Sequence, residues 1–292
     1  DRRMTFKPMK GDPVDFTQLT FPKLVSPKID GVRAVITKGA VLSSKLKPLP
    51  NKWLQSIFAH KQYDGLDGEL AVGDPFDPLL LRKTKSHVMS IDKAEYDVRL
   101  FAFDHITNFD LPYHLRRPKN NPRERVVLIP QHDVSSMEEL LQIEQTYLDA
   151  GYEGVMLRDP FGPYKYGRST VKEGYLLKLK RFEDAEFLIT GLVPAMANTN
   201  EGRRLGDGRL RRSTRADGLV QKAELGTFLG TDVRTGRELR VAAGTLTKEE
   251  REEAIRNPRL YVGKVGTYKS FREGRTGAPS FPTFKCLRPR GT

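Results

Sequence analysis

Leu176-Leu177-Lys178-Leu179-Lys180 alternates between apolar and cationic side chains. In an extended chain successive side chains point to opposite faces, so Leu177 and Leu179 turn to a core while Lys178 and Lys180 turn together the other way. Two ammonium groups side by side repel unless they are solvated or face an anion, and a phosphate held in a cleft satisfies both. The run sits in a strand predicted over Gly174 to Phe182. Beyond it the texture of the chain changes.

Upstream, strands alternate with turn residues. Val32 to Thr37 and Val41 to Ser44 flank Lys38-Gly39 as a hairpin, and Leu66 to Val72, Val98 to Ile106 and Tyr152 to Arg158 read as further strands. Ser136 and Glu139 form a capping box that opens a helix ending at Gly151. Leu111 to Arg125, rich in Pro, Asn and Arg, reads as an exposed loop. Downstream, short strands recur at Phe187 to Val193, Ala223 to Gly230, Glu238 to Ala243 and Lys264 to Phe271, with one helix from Thr247 to Pro258. Strands around a single helix predict a small barrel of the OB type. The expected domains are residues 1–182 and 183–292, in an α+β protein of antiparallel sheets with helices followed by a β-barrel.

The chain has 292 residues, 50 Lys and Arg against 37 Asp and Glu, and a net charge of +13. Residues 183–292 hold 21 basic and 14 acidic side chains and are the more basic part per residue. Six arginines (Arg203, Arg204, Arg209, Arg211, Arg212 and Arg215) crowd the segment 198–222, which has almost no apolar residues and predicts an arm for a polyanion. The one cysteine, Cys286, excludes an internal disulfide or a multi-cysteine zinc site and suits a reducing, intracellular setting. No apolar run reaches the ~18 residues of a membrane helix, and the N-terminus has no signal-peptide core.

Four more clusters carry possible chemistry. Lys28 and Asp30 share a face in Ser26-Pro27-Lys28-Ile29-Asp30-Gly31-Val32-Arg33, as do Asp67 and Glu69. Phe101 and Phe103 alternate before Asp104, and Glu153 enters the apolar strand Gly154 to Leu157. Singly each fits a surface pair, a hairpin or a core phenylalanine. As an ordered set near strand ends they are harder to dismiss.

The set resembles the covalent nucleotidyltransferase superfamily of ATP-dependent DNA ligases and mRNA capping enzymes, and most closely the small viral, phage and bacterial DNA ligases. The resemblance runs over nearly the whole chain and includes Tyr164 to Thr170 and Phe281-Pro282-Thr283-Phe284 with Arg288. It implies an ATP-grasp-like nucleotidyltransferase domain joined to an OB domain. It also implies that Lys28 attacks the α-phosphate of ATP, with Arg33, Glu69, Phe103, Glu153, Lys178, Lys180 and Arg288 around the nucleotide. Glu69 would take the ribose, Phe103 the adenine, and Lys178 and Lys180 the α-phosphate. Neighbouring cations would help keep Lys28 neutral. Glu153 and Glu69 would serve Mg²⁺, with Mn²⁺ as a substitute. Ser90, Lys165 and Arg168 would grip the 5′-phosphate of nicked duplex DNA, Asp30 would lie near the 3′-hydroxyl, and the arginine-rich segment would be a latch.

Two positions depart from the family's pattern: Ser44 and Ser280 stand where it carries arginines. An RNA ligase or a capping guanylyltransferase would share the Lys28 motif, but the segments 153–158 and 281–288 and the arginine latch favour a DNA ligase. A zinc-dependent NAD⁺ ligase needs more cysteines. A non-enzymatic OB-fold binder would interleave aromatics in the latch, which has none. A monomer is expected. The length leaves no room for a separate DNA-binding domain, so both domains would engage the DNA.

Overall fold

The computed structural model describes residues 5–120, 123–198, 202–204, 210–212, 218–271 and 280–289. The chain divides into two compact units, Asp1–Arg181 and Phe182–Thr292. Described strands of the first are β1 (Lys10–Pro13), β2 (Lys23–Pro27), β3 (Val32–Thr37), β4 (Ala40–Leu42), β5 (Leu66–Val72), β6 (Val98–His105), β7 (Val126–Leu128), β8 (His132–Val134), β9 (Gly154–Arg158), β10 (Arg168–Ser169) and β11 (Leu176–Lys180). Its helices are α1 (Lys52–Phe58), α2 (Leu80–Val88), α3 (Tyr113–Arg116) and α4 (Met137–Asp149).

The strands form two sheets, ordered β10-β1-β11-β9-β2-β8 and β4-β3-β5-β6-β7. Most pairings are antiparallel, as expected, but β1 runs parallel to β10 and β11, and β6 parallel to β7. The β3–β4 hairpin turns on Lys38 and Gly39, both at positive φ, the backbone that two-residue hairpins require. Helix α4 begins at Ser136, whose side chain accepts from Glu139 N; the Glu139 carboxylate reaches back to Ser135 N instead of Ser136 N, so the expected box is one residue looser. Leu140 of α4 packs with Val25, Val155, Leu157, Leu177 and Leu179 under the six-stranded sheet. A second core, with Ile36, Leu54, Phe58, Leu66 and Leu100, lies under the five-stranded sheet. Burying each such side chain stabilises the unit by about 1.5–3 kcal/mol.

The segment from Leu111 to Arg125 is a correction. It is not simply an exposed loop: α3 lies in it, Tyr113 and Arg116 are buried, and Arg116 reaches Asp104 at 2.7 Å. The charge that made the segment look exposed is neutralised by a partner twelve residues upstream.

In the second unit β12 (Phe182–Asn198), β13 (Gly202–Arg204), β14 (Leu210–Arg212), β15 (Leu219–Asp232), β16 (Glu238–Ala242), β17 (Val265–Phe271) and β18 (Ser280–Leu287) join one helix, α5 (Lys248–Arg256). Five of the strands close into a barrel in the order β12-β15-β16-β18-β17. Phe187, Phe228, Tyr268 and Phe284 fill it. The Tyr268 hydroxyl donates to buried Asp232 at 2.5 Å. Helix α5 carries the full capping box, Thr247 with Glu250. Strands β12 and β15 are far longer than expected, because their ladder continues to Asn198 opposite Leu219. Beyond it β13 and β14 pair as a ribbon that holds Arg203, Arg204, Arg211 and Arg212 in its backbone; Arg209 and Arg215 lie outside the described residues. No described helix is long and apolar enough to cross a membrane.

Candidate active site

Both sheets of the first unit wall a cavity of ≈ 290 Å³. Lys28 stands in it, just past the end of β2. Its backbone N–H is fixed to Gly154 O at 3.0 Å, and its ammonium pairs with Asp30, as the shared face predicts. Gly31 explains the tight motif: a Cβ there would stand 1.9 Å from Leu70 O, so only glycine lets β3 lie this close to β5.

Arg33, on β3, also lines the cavity. Its guanidinium grips buried Asp67 through two bonds of 2.6 and 2.8 Å and donates to Met9 O at 3.0 Å. Tyr164 donates to the same carboxylate at 2.7 Å. Burial opposes the charge on Arg33, but Asp67 wins and holds it protonated beyond its usual range. Bidentate geometry of this kind fixes a side chain as well as charging it.

Glu69 lines the same cavity, two residues from Asp67. Burial pushes its carboxyl up from 4.5 to about 7, and nearby Lys28 and Arg33 only partly offset that. Between those values the folded chain keeps a proton that the unfolded chain has lost. Stability therefore falls as pH rises through this window, and the penalty is complete above it. Glu69→Gln removes the titration. It should raise the free energy of unfolding at pH 8 by about 1–3 kcal/mol, and change little at pH 4.5. Thermal melts at the two pH values check this, and equal gains at both would contradict it.

Phe103 presents its ring to the cavity, with the guanidinium of Arg33 at 5.1 Å and that of Arg158 at 4.9 Å from its centroid. Lys178 lines the cavity from β11, while Leu177 and Leu179 are buried, as alternation predicts. Lys180 shares the face of Lys178 but is turned to Glu153, 3.5 Å away, and neither of the two lines the cavity. Arg168 does line it and bonds Asp12 at 3.0 Å. Lys165 lies outside it, paired with Glu173 at 2.5 Å. Ser90 is also outside, with its carbonyl accepting from Asn51. Arg288 belongs to the second unit, where it pairs with Glu186 at 3.3 Å.

The family of the ATP dependent DNA ligase domain matches residues 8–180, which contain the whole cavity lining. The chain belongs to that ligase family. It is 34% identical over 153 residues to a DNA ligase of Natronomonas pharaonis, a match covering 48% of this chain and 26% of that protein. The Chlorella virus DNA ligase-adenylate is 27% identical with a TM-score of 0.53, over 98% of this chain and 99% of that one. The mycobacterial DNA ligase D complexed with ATP and MES shares the fold, with a TM-score of 0.62 at 18% identity over 98% of this chain and 95% of that one. The chain spans about a quarter to a third of the length of the curated relatives it matches.

Lys10, Met156 and Arg158 are cavity residues to which the sequence motifs give no role. Lys10 comes from β1, whose parallel pairing to β10 and β11 leaves no local signal. Met156 and Arg158 did leave one: in β9 they share a face, opposite buried Val155 and Leu157. Ser44, where the family's pattern has an arginine, is itself in the cavity wall, and Lys10 is a cation of that wall outside the motifs.

Among the described residues no group of three or more His, Cys, Asp or Glu could hold a metal ion. Mg²⁺ does not need one, because it commonly takes one or two carboxylates and completes its shell with substrate phosphates and water. Glu153 is the carboxylate expected to serve it; its Oε2 is buried beside Lys180, outside the cavity lining. Glu69, half protonated near neutral pH, fits a hydrogen bond to a ribose hydroxyl better than a metal.

Proposed function

We propose that the chain is an ATP-dependent DNA ligase that seals 3′-hydroxyl/5′-phosphate nicks in duplex DNA. The observation that carries this reading is the convergence of Lys28, Arg33, Glu69, Phe103 and Lys178 on one cavity in a chain of the ligase family. We read residues 1–182 as the nucleotidyltransferase domain, ATP-grasp-like in build, and the barrel of residues 183–292 as an OB fold.

ATP enters with its adenine on Phe103, a ribose hydroxyl on Glu69 and its α-phosphate on Lys178, and on Lys180 once that lysine turns from Glu153. Lys28 loses a proton, its nitrogen attacks the α-phosphorus, and the bond to the bridging oxygen breaks to release pyrophosphate. A second proton leaves the nitrogen as lysyl-AMP forms. Mg²⁺ would be held through Glu153 and would supply charge neutralisation at the phosphates. AMP then passes to the 5′-phosphate of the nick, and the 3′-hydroxyl, near Asp30, displaces it. Ser90, Lys165 and Arg168 hold the 5′-phosphate. Because Glu173 and Asp12 hold Lys165 and Arg168 in the free chain, DNA phosphate has to replace these acids. Burial opposes its charge, but the bond from Lys165 and those from Thr170 keep the Glu173 carboxyl below its ordinary range.

Sealing of a nicked, 5′-phosphorylated duplex with ATP and Mg²⁺ tests the proposal. Sealing with ATP and none with GTP is expected; label taken up from GTP alone would favour a capping guanylyltransferase. Deleting Arg203 to Arg215 should leave adenylation intact and weaken binding to nicked duplex. It removes six arginines, so the slope of log affinity against log salt should fall by up to about 5. An unchanged slope would make the segment a solvated insertion.

A further inference from the structure

The cations that line the cavity of the first unit are Lys10, Lys28, Arg33, Arg158, Arg168 and Lys178. Among them only Lys10 and Arg168 are exposed; the others are half-buried or buried. Lys28, Arg33 and Lys178 therefore stand inside, where the nucleotide is placed, and Lys10 and Arg168 stand at the rim. A cavity of ≈ 290 Å³ has room for a small molecule and not for a duplex, so DNA meets it only at that rim.

Strand β1 brings the two rim cations together. It runs parallel to β10 with Lys10 in register with Arg168, and the Lys10 N–H donates to Gly167 O at 2.9 Å. Register partners on neighbouring strands point to one face, with the strands about 4.8 Å apart. Asp12, two residues along β1, shares that face and takes Arg168 at 3.0 Å. Among the described residues Lys10 has no ion pair. The rim thus sets two adjacent cations against one carboxylate, and Ser44, in the same wall, adds no charge. Such a pair suits a phosphate monoester better than a diester, because near neutral pH the monoester carries nearly two negative charges. In a nicked duplex the monoester is the 5′ end at the nick, and the other phosphates are diesters.

We propose that Lys10 holds the 5′-phosphate of the nick together with Arg168, an assignment that rests on the ligase reading. Arg168 has to leave Asp12 to do so, whereas Lys10 gives up no partner, so Lys10 makes the first contact. Its ammonium adds a charge-assisted hydrogen bond that a nick ending in a 5′-hydroxyl cannot accept in the same strength.

The test is equilibrium binding of the AMP-loaded full chain to two nicked duplexes, one with a 5′-phosphate at the nick and one with a 5′-hydroxyl, in EDTA so that no AMP is transferred. Fluorescence anisotropy gives the ratio of the two affinities. Lys10→Gln keeps the stem and removes the charge, and its loading with AMP shows that it is folded. It should weaken binding to the phosphorylated nick about 10-fold and to the hydroxyl nick less than about 2-fold, while Lys10→Arg should keep the unaltered ratio. Equal losses on the two nicks would make Lys10 a contact to the general backbone, and an unchanged ratio in Lys10→Gln would leave the phosphate to Arg168 alone; either result overturns the assignment. A Lys10→Gln defect confined to adduct formation would place Lys10 on the nucleotide and overturn it as well. An unaltered chain that takes no AMP from ATP refutes the ligase reading, and the assignment falls with it; a loaded chain that separates the two nicks equally well without the Lys10 charge refutes the assignment alone.

Discussion

Lys28→Ala incubated with α-labelled ATP and Mg²⁺ should carry no label through denaturing electrophoresis, whereas the unaltered chain should carry one AMP. The adduct is a covalent N–P bond, so removing the nitrogen removes the reaction and not merely a fraction of its rate. Binding should survive, because Arg33, Glu69, Phe103 and Lys178 still line the cavity. Lys28→Arg sharpens the test. It keeps the positive charge and can keep an ion pair with Asp30, but a guanidinium does not deprotonate in a protein and cannot attack phosphorus. It should be as inactive as the alanine variant, so that the missing function is nucleophilicity and not charge. Label retained in either variant would move the nucleophile elsewhere, with Lys10 and Lys178 the other lysines of the cavity wall.

Much of this cavity is legible because its chemistry is written locally. Lys28 with Asp30, and Lys178 against Leu177 and Leu179, are period-two patterns within a few residues, and the pleat converts them directly into faces. Partnerships across the chain are another matter. The face that Asp67 shares with Glu69 is a local pattern, but the burial of Asp67 under Arg33 and Tyr164, the latter 97 residues away, is not. Nothing near Asp67 announces a tyrosine so distant. Lys10 joins the cavity only because β1 inserts between β10 and β11, a long-range parallel pairing. Arg116 reads as solvent-facing charge for the same reason: it lies in α3, and its partner Asp104 comes from β6. The barrel was visible as a rhythm of short strands, but the length of β12 and β15 was not, because their ladder crosses bulges that interrupt alternation.

Asp104→Ala should cost the first unit about 3–5 kcal/mol, a large share of the 5–15 kcal/mol that keeps a domain folded. Asp104 has no exposed surface, and it accepts from Arg116 at 2.7 and 3.2 Å and from Arg158 at 3.0 Å. Both guanidinium groups are almost fully buried too. The cluster thus holds two cations around one anion, and losing the anion strands both in a low-dielectric interior. The effect should reach the cavity. Arg158 lies over both Phe103 and Tyr113, and the Tyr113 hydroxyl holds Phe103 O, so the cluster also fixes the ring read as the adenine platform. Asp104→Asn keeps acceptor geometry on one oxygen and should cost less than alanine, while still raising KM for ATP more than it lowers kcat of adenylation. Urea unfolding measures the first effect, and single-turnover adenylation across ATP concentrations measures the second. A loss below about 1 kcal/mol in Asp104→Ala would mean that water reaches the cluster and that the two arginines are solvated without their carboxylate.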